Sequence, residues 1–195
     1  MAAPMPGQVM PTLIAAGTAD QNDVALVEAE LAKMPEKYRQ AMQDKDAKVV
    51  VVRNSVTERL PSLAGTTPRG WPPGKTWDSV PGLYDPSTND VVIATVGHGT
   101  MAGPHVPVAG EGHGSANLVL HESAHAIQGT GMQSPGFGAA RNADSAALSS
   151  YELQQGDAGL EEAHAESFAN VFGGNPNYST THQNLANYWN TYPDP

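Results

Sequence analysis

Apolar and polar positions divide the chain into an irregular start, a first half that mixes helix and strand patterns, a glycine-rich bridge and a helical second half. Val24, Leu26, Val27 and Leu31 recur at helical spacing behind Asp20, which predicts an amphipathic helix over 20–33 ended by Pro35. A second short helix is expected over 36–44. Lys48 to Asn54 carries four successive valines, the pattern of a strand buried on both faces, and Asp90 to Val96 reads as another strand. Between them, Thr66 to Asp85 is dense in Pro, Gly and Trp, so an ordered loop anchored by Trp71 and Trp77 is expected there. Beyond the bridge, a helix runs from Asn117 to Gln128 and stops at Gly129-Thr130-Gly131. Further helices are expected over 139–154, over 157–172 with Asp157 as a cap, and over 181–190. The first 18 residues, broken by Pro4, Pro6 and Pro11, read as a flexible arm before a single domain over 19–195. The class is α+β, with a small sheet and several C-terminal helices.

The third of the expected helices, over 117–128, carries chemistry. His121-Glu122-Ser123-Ala124-His125 places two histidines four residues apart, one turn of a helix, so both imidazoles share a face and can bind one cation. Glu122 beside them is placed to act as a base on water held by that cation, which describes a hydrolytic zinc site. Its flanks, Asn117-Leu118-Val119-Leu120 and Ala126-Ile127-Gln128, hold no proline, glycine or added charge to interrupt a helix.

Composition narrows the choices around that motif. A formal charge of −10 with only 10 Lys and Arg argues against a nucleic-acid partner or an anionic membrane surface. The chain has no cysteine, which removes disulfides, thiolate zinc sites and cysteine nucleophiles together. Metal ligands must then be His, Asp or Glu. No apolar run reaches membrane-spanning length, so no membrane insertion is expected, and the N-terminus lacks the basic start of a cleavable signal peptide. A monomer is the expected state.

A catalytic zinc needs a third protein ligand and one open position. The extended pattern HExxHxxGxxH is excluded, because Gln128 and Gly131 stand where its Gly and His belong. A glutamate on a later helix is better supported. Glu161-Glu162-Ala163-His164-Ala165-Glu166 offers several, and Glu162 and Glu166 share a face four residues apart. One of that pair would bind the cation and the other orient a neighbour; the residues alone leave the two equal. His164 points away from them as a surface or packing residue. His98, His105 and His113 have spacings unsuited to a single metal site and are assigned to loop hydrogen bonds or substrate contacts.

Three segments resemble a known family, the anthrax lethal factor-like metallopeptidases, which include the Pro-Pro endopeptidases. They are Pro68-Arg69-Gly70-Trp71 through Thr76-Trp77-Asp78 to Pro81-Gly82, Gly112-His113-Gly114-Ser115 into Leu120-His121-Glu122, and Glu162-Ala163-His164-Ala165-Glu166-Ser167-Phe168-Ala169. The resemblance implies a zincin-like fold and a zinc (Zn2+) endopeptidase of the gluzincin type, secreted or delivered by a secretion system as a toxin or effector. It implies Glu162 as the third ligand with His121 and His125, Glu166 behind it, and Tyr151 as the hydroxyl facing the reacting carbonyl. A peptide substrate is expected to lie as an added strand along the sheet near Val91 to Val96. The alternatives are a catalytically inactive zinc-stabilised binding module and a cell-wall peptide hydrolase.

Overall fold

The computed structural model describes residues 9–68, 74–96, 103–128 and 135–191. Four strands, β1 (Thr12–Ala15), β2 (Lys48–Val52), β3 (Gly82–Asp85) and β4 (Asp90–Ala94), form one sheet in the order β1-β2-β4-β3. The first three in that order run parallel and β3 is antiparallel to β4, with Gly82 opposite Ile93. The helices are α1 (Gln21–Leu31), α2 (Glu36–Asp44), α3 (Leu118–Ile127), α4 (Pro135–Ala143), α5 (Asp157–Gly173), α6 (Tyr178–Thr181) and α7 (Gln183–Thr191).

The valine run of β2 explains the layering. Val49 and Val51 join the main core with Val91 and Ile93, beneath Val27 and Leu31 of α1, Tyr38 and Met42 of α2 and Leu118 of α3. Val50 and Val52 turn the other way and close a smaller cluster with Val56, Val80, Val92 and Ala94. Both faces are therefore covered, and the strand needs no polar alternation. Asp20 opens α1 with a capping box: its carboxylate accepts from the Asn22 and Asp23 N–H groups, while Asp23 accepts from the Asp20 N–H.

Several expectations give way. The arm over residues 1–18 is not flexible throughout. Thr12 to Ala15 pairs in parallel with Lys48 to Val51, and Glu58 accepts from the Thr18 N–H, so distant partners order what local composition leaves loose. Residues 1–8 lie outside the described residues. The loop over 66–85 ends in β3, with Trp77 packed on the smaller cluster; Trp71 lies outside the described residues. β4 is interior, so Val91 to Ala94 offer no free edge and β3 is the edge on that side. The helix over 139–154 stops at Ala143, because the Asp144 carboxylate turns away to accept from the Leu185 N–H and Asn184 at the start of α7. Gly156, with φ of 75°, precedes α5 instead of a capping Asp157, and Gly174 in the left-handed region ends it. The last helix, expected over 181–190, runs as α7 over Gln183–Thr191, with the short α6 before it. The stop expected at 129–131 lies outside the described residues.

Helix α3 lies between the sheet and α5. Above it, β3 comes so near that a Cβ on Gly82 would meet Leu118 Cδ1 at 2.6 Å and Glu122 Cγ at 3.1 Å. A side chain at this crossing would have to displace those of Leu118 and Glu122.

Candidate active site

The Asn117 side chain caps α3 by accepting from the Leu120 N–H at 3.1 Å, and Leu118, Val119, Leu120, Ala124, Ala126 and Ile127 are buried. Packed against it, α5 buries Ala163, Ala165, Phe168 and Ala169 in the same core. His121 and His125 project into this seam with ring centroids 4.9 Å apart. Glu162 enters from α5.

The ligand atoms of His121, His125 and Glu162 all lie within 4.8 Å of one another. Glu162 Oε2 stands 3.3 Å from His121 Nε2 and 3.7 Å from His125 Nε2, is buried, and makes no hydrogen bond. Two imidazole nitrogens and an unbonded carboxylate oxygen converging on one point fit the donor set of a catalytic zinc, His2Glu. Behind it, Glu166 Oε2 accepts from His121 Nδ1 at 3.2 Å, and Glu166 Oε1 accepts from the Ala116 N–H and from Asn170. This hydrogen bond turns His121 Nε2 toward Glu162.

The electrostatics follow from the geometry. Burial alone would lower the His121 pKa, but the adjoining Glu162 and Glu166 carboxylates and the Glu122 charge overcome it and lift the pKa to about 10. Glu162 is pushed up by burial and pulled further down by both histidines, ending well below the usual carboxylate range. Glu166 is lowered for similar reasons, with help from Ser115 and the Ala116 N–H.

Tyr151 reaches the same place from the turn after α4. Its side chain is 53% exposed, yet its hydroxyl lies against Glu162 and feels the charges of Glu122 and Glu166. Burial of the hydroxyl and then those carboxylates raise its pKa, so it stays protonated and can donate. The turn is held by Glu152, which accepts from the Ser149 N–H and hydroxyl at 2.9 and 2.7 Å, while Arg141 donates to the Glu152 carbonyl.

The other histidines divide. His113 stands near His121, Glu122 and Glu166, and burial lowers its pKa; both ring nitrogens are engaged, one with the Pro107 carbonyl and one with the Ser115 N–H. His105 bridges the Gly103 carbonyl and Glu111, and His98 lies outside the described residues. His164 is not a surface residue: it is buried between the Phe137 and Trp189 rings, and burial, then His125 and Lys45, lower its pKa to about 3. Sequence reasoning overlooked Gln128, whose amide nitrogen lies 2.7 Å from His125 Nδ1 and 3.1 Å from the Glu161 carbonyl. Its position three residues after His125, on the same helical face, was the available signal.

A family model described as the anthrax toxin lethal factor N- and C-terminal domain matches residues 9–184. The chain belongs to this family. Among lethal factor-like relatives, a Pro-Pro endopeptidase of Paenibacillus alvei is 31% identical over 118 residues, 59% of this chain and 49% of that protein. A Pro-Pro endopeptidase of Clostridioides difficile strain 630 is 34% identical over 114 residues, 57% of this chain and 46% of that protein. The matches thus span about half the length of these two relatives. The solved structure of the Pro-Pro endopeptidase PPEP-2 from Paenibacillus alvei superposes with a TM-score of 0.69 at 22% identity, covering 90% of this chain and 94% of that one. The lethal factor-like chain therefore has the α+β, zincin-like fold. Among its described residues no helix is long and apolar enough to cross a membrane.

Proposed function

We propose that the chain is a zinc-dependent endopeptidase of the gluzincin type that hydrolyses peptide bonds in a protein target. The observation that carries this reading is the convergence of the ligand atoms of His121, His125 and Glu162 within 4.8 Å, with Glu122 next to His121 on α3. His121, His125 and Glu162 would hold zinc, which when bound supplies a Lewis acid that polarises a carbonyl and lowers the pKa of water to about 7. Glu122 takes the proton from the attacking water and returns it to the leaving amine. Tyr151, protonated and facing the carboxylates, donates to the oxygen of the tetrahedral intermediate. Glu166 keeps His121 in the orientation that presents Nε2.

The free edge of β3 is the natural rail for a substrate strand, since Gly82 lies directly over Glu122. The relatives' names put bonds between two prolines first among those to be tried. Membership of the lethal factor family supports an exported toxin or effector, which detection of the protein in culture medium would test. The decisive experiment is cleavage profiling of a peptide library that includes Pro-Pro sequences, with and without chelator, for the wild type and Glu122→Gln. Zinc-dependent cleavage lost in Glu122→Gln supports the reading; a variant that cuts as fast as wild type refutes the mechanism.

A further inference from the structure

The two histidines of α3 are held differently at the ring nitrogen that faces away from Glu162. His121 Nδ1 meets the Glu166 carboxylate, a group that only accepts, so the ring proton is drawn there. His125 Nδ1 meets the side-chain amide of Gln128, which has a donor end and an acceptor end. As placed, the amide nitrogen faces the ring at 2.7 Å and also donates to the Glu161 carbonyl at 3.1 Å, one residue before Glu162 on α5. With the nitrogen so placed both N–H groups would be used and Nδ1 could only accept, so a neutral ring would carry its proton on Nε2. That is the atom among the three converging ligand groups.

For His125 Nε2 to hold a metal, the ring proton must sit on Nδ1, which then needs an acceptor at the same short distance. Turning the Gln128 amide over supplies its oxygen without moving the backbone, at the loss of the amide's hydrogen bond to the Glu161 carbonyl. The root of that side chain is fixed, because Lys45 Nζ donates to the Gln128 carbonyl at 2.9 Å. We infer that Gln128 is a positioning residue of the metal site: its amide sets the His125 tautomer, nitrogen toward the ring when Nε2 carries the proton and oxygen toward the ring when Nε2 binds zinc. A carboxylate here would serve only the second arrangement. The inference rests on the zinc-site reading above.

Zinc dissociation constants from competition with a chromogenic chelator would be measured for wild type, Gln128→Met and Gln128→Glu. The 15N spectra of the His125 ring would be recorded with zinc and after chelator treatment. Gln128→Met, similar in shape but unable to hydrogen-bond, is expected to bind zinc about 10–100-fold more weakly. Gln128→Glu, which can accept from Nδ1 although it loses the bond to the Glu161 carbonyl, should bind zinc more tightly than Gln128→Met, and the zinc form should carry its ring proton on Nδ1. A Met variant with wild-type affinity, a Glu variant as weak as Met, or a zinc-bound His125 protonated on Nε2 would each overturn the inference. If Gln128→Met does not fold, the wild-type spectra decide the matter. Wild type that takes up no zinc refutes the proposed function itself, whereas zinc uptake insensitive to residue 128 refutes only this role.

Discussion

Where α3 and α5 meet, the candidate ligands stand on two regular helices anchored in the core by Ala124, Ala163, Ala165 and Phe168, all fully buried. Tyr151 stands instead on an irregular turn, half exposed, held by the hydrogen bonds of Ser149, Glu152 and Arg141. Both regions bring groups to Glu162, but by different means. Packing fixes the first, so disturbing it should disturb metal and fold together. A few polar contacts fix the second, so a change there should alter chemistry while leaving stability in place.

Substitutions can separate the two. Glu122→Gln, on the packed side but directed into the cleft, should lower kcat by about 10²–10⁴-fold while zinc content and melting temperature stay at wild-type values. Phe168→Ala empties the packed core behind α5, where its ring meets Tyr38 and Trp189, and a urea titration should show a loss of about 3–5 kcal/mol, accompanied by weaker zinc retention. Tyr151→Phe tests the turn: kcat should fall by about 10²–10³-fold, with thermal melting and zinc affinity unmoved. If the tyrosine variant lost stability as the Phe168 variant does, the contrast between the two regions would fail.

The smallest effect concerns Asp23, far from the cleft, where α1 joins the sheet. Burial pushes its carboxyl up, but the Thr95 hydroxyl, the Asp20 N–H and Arg53 outweigh this and hold its pKa below the ordinary value of 3.8. Depressed in the folded state, the group contributes stability that is complete above the unfolded value and lost as pH falls through the folded one. The stability gap between wild type and Asp23→Asn, followed by thermal melts, should be constant near neutrality and narrow below about pH 4. It bears on scaffold rather than site, so cleavage rates near neutral pH should not follow it.

Legibility in the sequence followed the range of the interactions concerned. α2 runs over the predicted 36–44, because Pro35 and the polar spacing act within a few residues. β2 could be read because its four valines mark burial on both faces. β1 could not, since Thr12-Leu13-Ile14-Ala15 becomes a strand only through a partner 36 residues away, Thr12 facing Lys48. The early end of α4 depends on Asp144 reaching across to α7. At the site, the spacing of His121 and His125 is local and visible, whereas the contact of Gln128 with the Glu161 carbonyl depends on how two helices cross.

The missing side chain of Gly82 has a last consequence. The edge strand and the Glu122 carboxylate belong to different elements, and the gap between them is set by an atom that is not there. Residue 82 therefore acts as the spacer of the cleft. Any larger residue would have to push aside the Leu118 and Glu122 side chains, and so would disturb Glu122 before it reached the ligands.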